Sequence, residues 1–292
     1  MRTLTLNKDK FHLPSSWNEL TREQLLRIGE LAMTNRTPAD YKLKLFLKVT
    51  NLRVEQHKEV MIDGEPHFYL CSVNRHVHLV SLAALSEVIE ALDWMFVKEE
   101  NAENTERFVL SSRLTRNLIG DIKTPDGVWT GPADYLTNLS TAEYIRAEIS
   151  FYKYHESQRE EYLNALVATL WRPYAENQAS TDNRIEFDDG AVASRAIAVR
   201  QVPHDVCNAI LFFYSGSRNA LRMKFRHSNE SKGEKSSEKD IVMQFLRMIN
   251  GLAENDVTKH EAIRKAPLMD TLVTIDELAR QQKELELKMK KK

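Results

Sequence analysis

Four metal-capable side chains fall close together in this chain: His67, Cys71, His76 and His78. On an extended backbone His76 and His78 share a face, and a tetrahedral zinc site would need all four groups to converge. The H-x3-C and H-x-H spacings match no zinc knuckle or ribbon. The expectation is therefore a polar strand face with a buried cysteine, and no metal. Adjacent carboxylates occur at Glu160-Glu161, Asp188-Asp189 and Asp276-Glu277. General acid–base work needs two carboxyls held in a cleft with separated pKa values, which adjacency does not supply. Gly216-Ser217 sits in Tyr-Ser-Gly-Ser-Arg, outside any G-x-S-x-G elbow. Neither G-x-x-x-x-G-K-[ST] nor G-x-G-x-x-G occurs. The reactive residues point away from an enzyme and from a bound cofactor.

Two further sets are suited to binding. Arg218, Arg222, Lys224 and Arg226 crowd the end of one expected helix. They could contact phosphate, or they could complement the helix dipole beside the core-spaced Phe212, Phe213, Tyr214 and Phe225. The second reading carries more weight. Near the C-terminus Leu268, Leu272 and Ile275 recur three and four apart, and the pattern continues through Leu278, Gln282, Leu285 and Met289. After Gln281 the tail is charged apart from Gln282, Leu285, Leu287 and Met289, and it ends in Lys290-Lys291-Lys292. This predicts a packed inner half and a protruding outer half, either a docking helix for a partner or a solvated end.

Composition narrows the classes. Across 292 residues, 41 Lys+Arg face 42 Asp+Glu for a net charge of −1, so whole-chain attraction to nucleic acid or anionic membrane is excluded. Hydrophobic residues make up 42%, enough for a core, and only 9 Gly and 8 Pro favour helices over tight turns. Cys71 and Cys207 form no disulfide framework, which suits a reducing cytoplasm. The N-terminus lacks a signal-peptide core, and the apolar run Ala209–Tyr214 falls far short of a bilayer span. A soluble cytoplasmic protein with no membrane partner is expected. Nucleic acid is disfavoured, and self-association is left open.

The elements that would position these residues follow from periodicity. Residues 3–13 alternate and read as one or two short strands. Thr21 caps a helix through Leu25, Ile28 and Leu31, and a second helix opens at Thr37-Pro38. Val60 to Cys71 reads as a hairpin turning at Asp63-Gly64, and 76–80 as a further strand. Helical spacing resumes from Ser81 to Phe96, and the acidic stretch 98–105 reads as a linker. Ser140 with Glu143 opens a long helical stretch ending at Trp171-Arg172-Pro173, with a break near 155–161. Helices are expected at 189–201, 204–226, 240–254 and 268–289, with a mobile loop near 227–239. The fold class is mainly α: a small α+β N-terminal module over 1–98, and a multi-helix C-terminal bundle over 106–292.

Three phrases carry a family resemblance: Leu13-Pro14-Ser15-Ser16-Trp17-Asn18-Glu19-Leu20-Thr21, the run Tyr162 to Pro173, and Phe212-Phe213-Tyr214-Ser215-Gly216-Ser217-Arg218. Together they resemble uncharacterised proteins of Bacteroidetes-type phages and prophages that look like tail-morphogenesis factors. The opening, a strand, Leu-Pro, then a Leu-Thr-x-x-Gln-Leu helix, is also similar to tail assembly chaperones. The resemblance implies a non-enzymatic factor that binds a tail, tape-measure-like protein during assembly in the host cytoplasm. It transfers no functional residue. The alternatives are a virion structural component, such as a connector or baseplate adaptor, and a nucleic-acid-binding regulator acting through the basic patch.

Overall fold

The computed structural model describes residues 2–6, 9–31, 38–72, 75–100, 106–175, 182–229 and 238–290. The chain is mainly α. The alternating N-terminal residues form an antiparallel hairpin, β1 (Arg2–Leu6) and β2 (Asp9–Leu13), with Leu4 opposite Phe11. Thr21 and Gln24 then build a reciprocal cap for α1 (Arg22–Leu31). The Gln24 backbone N–H donates to Thr21 Oγ1 at 3.2 Å, and the Thr21 N–H donates to Gln24 Oε1 at 2.9 Å. Pro38 starts α2 (Pro38–Thr50), which buries Leu45, Phe46 and Val49.

The period then changes to two. β3 (Arg53–Ile62), β4 (Glu65–Cys71) and β5 (Val77–Ser81) form an antiparallel sheet in that order. The β3–β4 turn falls at Asp63-Gly64, both left-handed with φ of 51° and 83°, where glycine carries no Cβ penalty. Ser81 caps α3 (Leu82–Glu90), its Oγ accepting from the Ala84 N–H at 3.2 Å. α3 stops six residues before the expected end at Phe96. Phe96 instead begins β6 (Phe96–Glu100), which pairs with β7 (Glu106–Leu110), Phe96 opposite Leu110. The stretch expected as a linker thus lies at this hairpin, and residues 101–105 fall outside the described residues. Cys71, expected to be buried, is half-buried because it sits at the end of β4.

β8 (Ile122–Thr124) and β9 (Gly127–Thr130) follow, then α4 (Thr141–Ser157) and α5 (Glu160–Leu170). The break between these helices is Gln158, left-handed at φ 54°. β10 (Arg172–Pro173) adds to β9, making a sheet ordered β10-β9-β8. α6 (Val192–Val199), α7 (His204–Lys224), α8 (Arg226–Asn229), α9 (Glu238–Leu252), α10 (His260–Lys265) and α11 (Leu268–Lys290) complete the chain. Of the expected loop 227–239, residues 227–229 are helical, α9 already begins at Glu238, and 230–237 lie outside the described residues.

Two compact units divide these elements: Met1–Leu114 with His204–Phe212, and Thr115–Pro203 with Phe213–Lys292. The first buries Trp17, Leu25, Ile28, Leu45, Phe46, Leu70 and Met95, and Phe212 lies 5.5 Å from Trp17 by ring centroid. Gly29 of α1 lets the backbone of Asp205 approach so closely that a Cβ would stand 2.4 Å from its carbonyl oxygen. The Asn208 amide donates to the Gly29 carbonyl at 2.9 Å. The second unit is centred on Trp129, Leu166, Leu170, Trp171, Phe213 and Tyr214. Among the described residues no helix is long and apolar enough to cross a membrane.

Candidate functional site

In the second unit, Ser140 caps α4 by accepting from the Glu143 N–H at 3.2 Å, which sets Glu143 on the first helical turn, 1% exposed. Arg172, just past the end of α5, and Arg184 reach the same carboxylate. Arg184 Nη1 donates to Glu143 Oε1 at 2.7 Å and to the Leu170 carbonyl at 2.8 Å. Its Nε and Nη2 donate to the two oxygens of Asp182, each at 2.8 Å. Arg172 Nη1 lies 3.1 Å from Glu143, and Nη2 lies 3.4 Å from Asp182. Burial pushes the Glu143 carboxyl above the usual carboxylate range against the pull of Arg184 and Arg172. Burial also lowers Arg172, whereas Glu143 and Asp182 outweigh burial at Arg184 and hold it above its ordinary value.

An open cleft of about 750 Å³ lies over this cluster, with Glu186, Asp188, Asp189, Glu261, Arg264 and Lys265 on its walls. Its hydroxyls are already engaged: Ser140 caps α4, and Thr137 donates to the Asp134 carbonyl at 3.0 Å. Two guanidinium groups meet two carboxylates, so the floor is neutral in its ionised form. Its physical effect is to tie the segment 182–184 to the start of α4 and the end of α5.

The basic patch is divided by the structure. Arg218 turns inward, its Nε donating to Glu148 Oε1 at 2.6 Å, with its guanidinium 5.1 Å from the Phe151 ring. Tyr214 Oη donates to the same Glu148 oxygen at 2.7 Å. Burial and then the Glu148 charge raise the Tyr214 phenol well above its ordinary value. Burial opposes the charge on Arg218, but Glu148 outweighs it and raises its pKa. Arg222, Lys224 and Arg226 are exposed. Of the four, Arg218 is thus committed to a buried carboxylate.

The C-terminal stripe has a different setting. At its inner end Leu268 and Thr271 are buried. The Leu268 N–H donates to the Leu139 carbonyl at 2.8 Å, and the Thr271 and Thr141 hydroxyls lie 2.7 Å apart. Outward, exposure rises: Leu278 is 51% exposed, Leu285 60% and Met289 73%, and Gln282 is exposed beside them. At 3.6 residues per turn these four fall within an arc of about 60° on the helix. Along the helix Arg280 donates to Glu277 at 2.7 Å and to Glu284 at 2.9 Å, and Glu277 is drawn down to about 2 by Arg280 and Gln281. The outer half is thus helical and internally braced, with an apolar stripe open to water.

In the first unit, His76 Nδ1 and His78 Nε2 lie 2.9 and 3.1 Å from Asp9 Oδ2. His67 Nδ1 lies 3.0 Å from the Glu65 carbonyl, and the Cys71 thiol contacts the Ser72 carbonyl at 3.5 Å. Among the described residues no group of three or more His, Cys, Asp or Glu side chains could hold a metal ion.

No protein-family model, curated protein or solved structure matches this chain.

Sequence reasoning placed the open stripe of α11 but missed both buried ion networks. One signal was available for the second: Tyr214 and Arg218 stand four apart on one helix face. The first had none, because Glu143, Arg172 and Arg184 are joined only by the tertiary fold.

Proposed function

We propose that the chain is a non-enzymatic phage tail morphogenesis factor acting in the host cytoplasm. It holds a helical, tape-measure-like tail protein through the stripe Leu278, Gln282, Leu285 and Met289. In this reading the helical C-terminal bundle anchors the inner half of α11 and presents the outer half. The observation that carries it is the contrast along one helix, from a buried Leu268 to a Met289 that is 73% exposed. An apolar stripe at heptad spacing is the chemistry that covers another amphipathic helix. A long helical protein with apolar faces needs such cover until it assembles.

The test is co-expression with the products of neighbouring tail genes, followed by affinity capture. The reading expects a long helical protein to be recovered with the wild type and lost with Leu285→Glu. Recovery of no such protein, with the chain present instead in purified particles, would replace it by the virion-component alternative.

A further inference from the structure

We draw no further inference here: the strongest candidate, the half-open apolar face of the β3–β4–β5 sheet that carries Tyr69, Val77 and Leu79, holds no proposal because nothing in the structure shows what covers it.

Discussion

Arg218 Nε lies 2.6 Å from Glu148 Oε1, and Tyr214 Oη donates to the same oxygen at 2.7 Å. A residue that reads in sequence as a cation near a helix end, beside core aromatics, is thus the counter-charge of a buried carboxylate. Arg218→Ala should cost about 3 kcal/mol or more, because it leaves Glu148 buried without its cation. Chemical denaturation measures this. A change below about 0.5 kcal/mol, in the range of ordinary surface substitutions, would show that the pair is not structural.

The Glu143 cluster makes a parallel prediction. Glu143→Gln removes the carboxylate shared by Arg184 and Arg172, at 2.7 and 3.1 Å, and sets two buried cations against Asp182 alone. A loss of about 3–5 kcal/mol is expected. Glu261→Gln on the cleft wall should change stability by less than about 0.5 kcal/mol, since that side chain is 71% exposed and its partner Lys265 is exposed too. Equal effects from the two variants would contradict this division between floor and wall.

Two glycines should respond in opposite directions. Gly29→Ala forces a Cβ to within 2.4 Å of the Asp205 carbonyl oxygen, a backbone atom, and should destabilise by about 1–3 kcal/mol. Gly251 lies in α9 with nothing within 4 Å of an added Cβ, so Gly251→Ala should stabilise by about 0.5–1 kcal/mol. Matching melting-temperature shifts of the same sign would overturn the assignment of a tight α1–α7 approach.

Acid should loosen the N-terminal hairpin. The hydrogen bond from His76, then the charges of His76 and His78, hold the Asp9 carboxyl below its ordinary value of 3.8. The unfolded chain therefore takes up this proton at higher pH than the folded chain does. The contribution is complete above pH 3.8 and is lost as the pH falls through the depressed folded value. Carboxyl-carbon NMR titration of Asp9 should give a midpoint below 3.8 in the wild type, moving up toward that value in His76→Ala. An unmoved midpoint would remove His76 as the cause.

Much of the fold was legible where a local signal and the tertiary outcome agree. Pro38 opens α2, Ser140 caps α4, and Asp63-Gly64 turns the β3–β4 hairpin. Those features depend on backbone rules read over a few residues. β6 was not legible, because Phe96 continues the helical spacing of α3 and becomes a strand only by pairing with Leu110. α8 and α10 are too short for a periodic signal. The ion networks were hidden for a related reason. Glu148 and Arg218 are 70 residues apart, and charged residues taken singly read as surface. The α11 stripe was legible because apolar spacing on a charged helix is a one-helix property, whereas its buried inner end depends on tertiary partners, Leu139 at Leu268 and Thr141 at Thr271.

The central claim is that the outer half of α11 is a binding element and not part of the core. The most direct test removes residues 281–292 and measures both capture of the co-expressed tail protein and the melting temperature. The account predicts that capture is lost while the melting temperature stays within about 2 °C, as expected when none of the described residues removed is fully buried. Retained capture, or a fall of about 10 °C or more, would contradict it by placing the binding surface elsewhere or the tail within the core.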